Sequence, residues 1–373
     1  MPLKTETDHQ HLARAIELAE QGRGRVSPNP LVGAVIASGG ETISEGYHSA
    51  FGGPHAEVEA IRAASGQDLN GATLYVSLEP CCHHGKTPPC TDAICEAGIR
   101  RVVIGSDDPS EHASGRALGI LRDEGIEVVV ADGELATRAR LLNQAFRKYA
   151  RTGRPWVLLK AAMTLDGRVA TASGDSKWIS SVASRALSHH WRAECDAVAI
   201  GIGTALRDNP QLTVRVEGVH REPRRVVFDS LARLPADSKL VAEAPGVPLT
   251  VVVSRAAPRA ATDVLETHGA EVVSAPGENE TARVRSALQQ LGTAGISSIL
   301  LEGGPHLAGA FFDAGEVDEL RLFLAPIVVG GRTARGVLEG EGAEAIANAA
   351  RALTLEVEWV EEDLLIRARM KEW

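Results

Sequence analysis

The chain has 373 residues, of which 44% are hydrophobic, 24% charged and 4% aromatic, and its net charge is −10. These are ordinary globular values at a length that suits two domains, and they exclude a disordered chain. The acidic balance argues against a protein that tracks a nucleic-acid backbone and favours small substrates, and no run of about eighteen apolar residues suggests a membrane span.

Residues 1–10 are polar and carry Glu6 and Asp8, without the apolar stretch of a signal peptide, so a soluble cytoplasmic protein is expected. Of the five cysteines, Cys81, Cys82, Cys90 and Cys95 crowd one region and Cys195 stands apart. That distribution favours a metal site over a disulfide framework and makes Cys195 a core residue.

In chain order, Asp8 reads as the cap of a helix with Leu12, Ala15, Ile16 and Ala19 at helical spacing and Gly22 as its stop. Ser27-Pro28-Asn29-Pro30 is a rigid loop before a buried strand, Leu31–Ile36. Asn29 is either a turn residue or an amide held to bond a flat heterocycle. The segment 55–64 reads as a helix with His55 and Glu57 in its first turn, followed by a strand over 73–78. Helices are then expected over 91–97 and 116–124, with strands over 101–104 and 127–130. Strands alternating with helices indicate an α/β sandwich.

The chemistry concentrates between His55 and Cys90. His55-Ala56-Glu57, then Pro80-Cys81 and Pro89-Cys90, supply one imidazole and two thiols, the composition of a zinc site that keeps a fourth position open. Zinc lowers the pKa of water to about 7, and Glu57 can carry the proton without being a ligand. The combination is the pattern of zinc nucleobase deaminases, although here eight residues, Cys82 to Pro89, separate the cysteines. Cys81 is preferred to Cys82 as the ligand because it directly follows Pro80. His83, His84 and Lys86 add donors and a cation, which suits a phosphorylated substrate.

Three runs carry a resemblance: Ser27-Pro28-Asn29-Pro30; His48 with Gly52-Gly53-Pro54-His55-Ala56-Glu57; and Leu78-Glu79-Pro80-Cys81 through Pro89-Cys90. Together they resemble the deaminase half of the bifunctional riboflavin-biosynthesis deaminase/reductases. The position of Cys82 is commonly serine in that family, and Lys86 is often arginine. The resemblance implies a cytidine-deaminase-like α/β/α sandwich with His55, Cys81 and Cys90 on zinc and Glu57 catalytic. It implies Asn29, His48, His83 and Lys86 at the substrate.

A helix over 135–146 leads to a domain boundary, placed between 149 and 150, beyond which a second α/β pattern begins. Strands are expected over 156–163, 197–203, 225–228, 249–254, 271–273 and 298–301, with helices over 182–194, 282–291 and 306–314. A terminal hairpin is expected over 353–370. Two glycine loops, Gly201-Ile202-Gly203-Thr204 and Glu302-Gly303-Gly304-Pro305, are either tight turns or places where backbone N–H groups meet a pyrophosphate. No Gly-x-Gly-x-x-Gly occurs, so a Rossmann domain is not supported. Arg192 and Arg215 suit a phosphate anchor.

Met163-Thr164-Leu165-Asp166-Gly167-Arg168, Ser176-Lys177-Trp178-Ile179, Gly203-Thr204 through Asp208-Asn209-Pro210, and Glu302-Gly303-Gly304-Pro305 are similar to the reductase half of the same family. This implies a dihydrofolate-reductase-like α/β domain using NADPH. By that likeness Ala162, Trp178, Thr204, Asp208 and Gly304 contact the cofactor, and Ser176, Arg192, Leu212, Arg215 and Glu302 contact the substrate. A homo-oligomer is also implied. The competing readings are a tRNA or cytidine deaminase with an accessory domain and a zinc-stabilised binding protein without activity. NADPH oxidation separates the first from the family reading, and ammonia release the second.

Overall fold

A computed structural model describes residues 5–84, 88–216 and 221–373. The chain divides into two compact units, one running to Thr152 and including Trp373, the other from Gly153 to Glu372.

The first unit is built on a five-stranded sheet in the order β2-β1-β3-β4-β5. Its elements are α1 (Glu6–Glu20), β1 (Gly33–Ser38), β2 (Glu41–Tyr47), α2 (Ala56–Ala63), β3 (Thr73–Val76), α3 (Cys90–Glu96), β4 (Arg101–Ile104), α4 (Arg116–Asp123), β5 (Glu127–Val130), α5 (Gly133–Leu142) and α6 (Gln144–Thr152). β1 runs antiparallel to β2 and β3, while β3, β4 and β5 are parallel. Side chains alternate across β1 as strand geometry requires. Ala34 and Ile36 join α2, α3 and α4 in one core, and Val35 and Ala37 join α1 and α5 in the other.

Three details differ from the sequence reading. Thr5, not Asp8, caps α1, its hydroxyl accepting from the Asp8 amide at 3.1 Å. Asp8 is instead buried beneath a forked ion pair from Arg101 and the Tyr75 hydroxyl. The single helix expected over 135–146 is broken at Asn143, whose amide accepts from Leu31 N at 2.8 Å and donates to Leu31 O at 2.9 Å. α6 then carries on to Thr152, past the boundary placed between 149 and 150.

The second unit has a nine-stranded sheet in the order β10-β9-β8-β7-β11-β6-β12-β14-β13. Its strands are β6 (Trp156–Thr164), β7 (Ala197–Gly201), β8 (Arg224–Phe228), β9 (Leu249–Val253), β10 (Glu271–Ser274), β11 (Ser298–Leu301), β12 (Glu319–Ala325), β13 (Thr354–Val360) and β14 (Asp363–Arg369). The helices are α7 (Val182–Glu194), α8 (Ile202–Asp208), α9 (Lys239–Ala242), α10 (Arg259–Thr267), α11 (Glu280–Thr293) and α12 (Pro305–Asp313). β6 to β12 pair in parallel and the terminal hairpin closes the sheet antiparallel. Leu158, Val198, Val227 and Leu300 pack beneath α7 on one face, and Val157, Ala199, Val226 and Ile299 pack beneath α11 and α12 on the other.

The strand expected over 197–203 stops at Gly201, because Ile202 and Ala205 turn inward as the buried side of α8. β2 and β12 have no counterpart in the sequence reading. In β12 the charged pair Glu319 and Arg321, bonded to each other at 2.7 Å, masks a strand lying between β6 and β14.

Candidate functional site

α2 packs so closely on β2 that a Cβ on Gly46 would lie 2.4 Å from Ala60 N and 2.5 Å from Ala56 O. That contact fixes the start of α2, where His55 occupies the cap position without using its side chain as a cap. Cys90 opens α3 directly after Pro89, and Cys81 lies in the loop beyond β3. His55 Nδ1 is 3.2 Å from Cys90 Sγ and 3.4 Å from Cys81 Sγ, and the Cys90 amide donates to Cys81 Sγ at 3.3 Å.

All three ligand atoms lie within 4.8 Å of one another, and among the described residues this is the group suited to a metal. Ideal tetrahedral zinc, with bonds of about 2.3 Å to sulfur and about 2.0 Å to nitrogen, needs S···N separations near 3.5 Å. The observed spacing therefore fits zinc, and three ligands leave one position open.

Charge is distributed unevenly over the cluster. The Cys81 thiol is pushed down to about 4, chiefly by the hydrogen bond from Cys90, against burial and with help from His55, while its bond to Cys81 and burial raise Cys90. His55 is raised, chiefly by its bond to Cys81. Glu57 is 2% exposed and is pushed up to about 7, first by burial and then by the Cys81 charge. Its carboxyl is thus poised to take and return a proton near neutrality.

His48 and Asn29 stand beside this centre. The His48 ring meets His55 edge-on at 5.4 Å and donates from Nδ1 to Pro54 O at 2.8 Å. Its Nε2 then accepts from Asn29 Nδ2 at 3.1 Å. Burial lowers the His48 pKa, which favours the neutral imidazole, and the bonds to Pro54 and Asn29 select this tautomer. Cys82 lies outside the cluster, its thiol 3.6 Å from the His112 carbonyl. His83 is exposed with its ring 5.4 Å from that of His112, a residue the sequence reading did not single out. Lys86 lies outside the described residues.

In the second unit, Ala162, Ser176, Trp178, Arg192, Thr204, Asp208, Leu212, Arg215, Glu302 and Gly304 all line one cavity of about 640 Å³. Glu302 follows β11, and both its oxygens are gripped by Arg192, from Nε at 2.6 Å and Nη2 at 2.9 Å. Arg192 Nη1 donates to Thr213 O at 3.0 Å, so this guanidinium is engaged within the protein, whereas Arg215 is exposed at the wall. Burial pushes Glu302 up, but Arg192 outweighs it and holds the carboxyl below its ordinary value. Trp178 stands exposed over the Arg185 guanidinium at 4.6 Å, and Lys177 pairs with Asp208 at 3.8 Å.

The sequence reading missed Lys160, Arg185 and His189 in the same lining. The signal for Lys160 was present: it is the lone cation in the apolar run of β6. Burial pushes its pKa down, with Glu302 pulling it up and Arg192 pushing it further down.

At the rim, Gly304 forms the cap of α12, and a Cβ there would come within 3.2 Å of Thr204 Oγ1. Gly303, Gly304 and Pro305 line the cavity at the start of α12. The lining carries eight cations, Lys160, Lys177, Arg185, Arg192, Arg207, Arg215, Lys239 and Arg335, against Asp208 and Glu302. A dinucleotide with three phosphates, such as NADPH, and a phosphorylated substrate both fit that charge.

Residues 5–106 match the family model for the cytidine and deoxycytidylate deaminase zinc-binding region, and residues 155–365 match that for the RibD C-terminal domain. The riboflavin biosynthesis protein RibD of Actinobacillus pleuropneumoniae is 42% identical over 97% of this chain and 95% of its own. The solved diaminohydroxyphosphoribosylaminopyrimidine deaminase/5-amino-6-(5-phosphoribosylamino)uracil reductase of Thermotoga maritima superposes with a TM-score of 0.84 at 38% identity, covering 98% of this chain and 99% of that one. One form of Acinetobacter baumannii RibD gives 0.85 at 37% identity, with the same coverage. A likeness that takes in both units and both sites settles the family: this chain belongs to the RibD proteins, the bifunctional deaminase/reductases of riboflavin biosynthesis.

Proposed function

We propose that residues 1–149 as read from the sequence, the unit with His55, Cys81 and Cys90, deaminate 2,5-diamino-6-(5-phosphoribosylamino)pyrimidin-4-one, and that the remainder reduces the ribosyl chain of the product to ribityl. The observation that carries the first half is a buried carboxyl, Glu57, beside a three-ligand cluster of zinc geometry. When bound there, zinc supplies water activated at neutral pH. The Glu57 carboxylate would carry a proton from the attacking water to the leaving 2-amino group, which departs as ammonia. Asn29, fixed by His48, orients the pyrimidine through its amide. His83 and Lys86 lie in the insert suited to the phosphate.

In the second unit NADPH, when bound, supplies a hydride to C1′ of the ribosyl chain. Ala162, Trp178, Thr204, Asp208 and Gly304 hold the cofactor, while Ser176, Leu212, Arg215 and Glu302 hold the substrate. Arg192 keeps Glu302 ionised and oriented toward the ribose hydroxyls, and Arg215 meets the phosphate. Lys160 places a donor beside Glu302.

The enzyme is taken to be cytoplasmic and to act on small molecules, without nucleic acid or membrane; among the described residues no helix is long and apolar enough to cross a membrane. We also propose a homo-oligomer, with a second copy on the free edge of β13. Leu355, Val357 and Trp359 share one strand face there and are 65%, 54% and 74% exposed.

The test follows ammonia release and NADPH oxidation in one sample, for the wild type and Glu57→Gln. The wild type should perform both, and the variant should lose both with the diaminopyrimidine yet oxidise NADPH when given the deaminated product. Ammonia release by the wild type without NADPH oxidation, even with that product, would sink the reading of the second unit.

A further inference from the structure

Beside the cavity of about 640 Å³, a smaller one of about 350 Å³, with Phe228, Val252 and Val284 in its wall, shares Thr204, Gly304 and Arg335 with it. The segment Gln211–Arg215 lies away from that common rim: Gln211, Leu212 and Arg215 line the larger cavity alone. This segment is tied down along its length. Leu212 turns into the core, 5% exposed, at a φ of +59°, a left-handed backbone that leucine rarely adopts. Just beyond it the backbone is held from outside the segment, with Arg192 Nη1 donating to Thr213 O at 3.0 Å and Val214 N donating to Glu222 Oε2 at 2.8 Å. The surroundings thus impose a conformation that the segment would not choose by itself.

The side chains at its two ends are joined as well. Arg215 Nη2 donates to Gln211 Oε1 at 3.3 Å, and Gln211 Nε2 donates to Glu243 Oε1 at 2.7 Å. The other oxygen of Glu243 accepts from Arg225 Nη1 at 3.4 Å. Arg225 lies on β8, fully buried, and its Nη2 donates to the Val247 carbonyl. Glu243 directly follows α9, and its own carbonyl accepts from the amides of Gly246 and Val247 at 3.1 and 2.9 Å. A chain of hydrogen bonds therefore runs from a fixed arginine in the core to an exposed one at the cavity wall. Its polarity is set by charge. An amide between a carboxylate and a guanidinium turns its NH2 to the first and its oxygen to the second. Gln211 thereby holds Arg215 without supplying a counter-charge, whereas a carboxylate at position 211 would pair with the guanidinium and compete with an incoming anion.

We propose that Gln211 is a positioning residue for the reduction: backed by Glu243 and Arg225, it aims the Arg215 guanidinium at the substrate phosphate and so strengthens the preference for phosphorylated over dephosphorylated substrate. The inference rests on the reading of Arg215 as the residue that meets the phosphate and adds what holds it there. A long exposed side chain loses rotamer freedom when it grips a ligand. A bond already made in the free protein lowers that cost, so the guanidinium meets the phosphate preorganised.

The test is steady-state NADPH oxidation by the full-length enzyme, with the deaminated product as substrate and its dephosphorylated counterpart as competing ligand. Gln211→Met should raise KM for the phosphorylated substrate by about three- to ten-fold, the range of a single hydrogen bond. Its kcat and the inhibition constant of the dephosphorylated ligand should stay as in the parent, the pattern of lost uniform binding. Gln211→Glu, a residue of the same size, should raise KM at least as much and serves as the second probe should the first variant not match the parent in circular dichroism. In an Arg215→Met background Gln211→Met should add nothing, because a residue that acts through another has no effect in its absence. An unchanged KM in both Gln211 variants, an equal weakening of the dephosphorylated ligand, or an added loss in the Arg215→Met background would overturn the inference while Arg215 keeps its role. If Arg215→Met itself leaves the preference for the phosphorylated form intact, the reading of Arg215 falls and this inference falls with it.

Discussion

Cys81 and Cys82 are neighbours in sequence with opposite surroundings. Cys81 Sγ faces His55 and Cys90, whereas Cys82 faces a backbone carbonyl, and burial raises its thiol pKa. Cys90→Ser should therefore abolish tight zinc binding, and Cys82→Ser should leave one zinc per chain, as measured by elemental analysis of purified protein. Zinc retained by Cys90→Ser would show that the cluster was misassigned.

Glu302 carries a different consequence. Its folded-state pKa is depressed, so its contribution to stability is complete above the unfolded value of about 4.3 and is lost as pH falls through the folded pKa. Glu302→Gln should cost on the order of 3 kcal/mol near pH 7, because it leaves Arg192 buried without its counter-charge. It should also flatten the acid side of a plot of unfolding midpoint against pH. An unchanged acid limb would remove Glu302 from that role. The metal ligands were legible because their types and spacing are dictated by coordination chemistry. The closure of Arg192 on Glu302 was not, since nothing local distinguishes an arginine that forks a phosphate from one that forks a carboxylate 110 residues away.

Between α2 and β2 there is no room at position 46, and α2 carries the start of the metal cluster. Gly46→Val should lower stability by at least about 1–3 kcal/mol, the range for overpacking, and should weaken zinc binding because it displaces the helix. Chemical denaturation with a parallel metal titration checks both effects; normal stability would mean that the helix shifts freely. The break between α5 and α6 illustrates what the sequence hides. Helical periodicity continues through Asn143, and only its two bonds to Leu31, 112 residues distant, end the first helix there. The opposite holds for β1, whose apolar run announces a buried strand because both of its faces meet helices. β12 shows why such a pattern fails: an internal ion pair satisfies its charges, so a strand with a charged face reads as surface.

The division of the chain into two units, each with its own sheet and core, predicts chemical independence. Stripping zinc with a chelator should stop ammonia release while NADPH oxidation continues with the deaminated product, and restored zinc should recover the first activity. Loss of both activities on chelation would mean that the metal supports the second unit too. At the same scale, Trp359→Glu on the free edge should shift the assembly toward monomer in light scattering, since a buried charge opposes strand pairing. An unchanged mass would move the contact elsewhere. Two α/β halves follow from alternating strand and helix signals, but neither the nine-strand order nor its exposed edge does, because both depend on pairings between distant segments.

The rim shared by the two cavities of the second unit gives this fold a pharmacological handle. A flat apolar fragment in the smaller cavity and an anionic fragment in the larger one would be joined by a short tether past Gly304, which lines both. Joined there, two weak binders act at the high effective concentration of an intramolecular pair. Their selectivity would come from the path around Gly304 and Thr204, so substitution at residue 304 is the simplest resistance change to watch for.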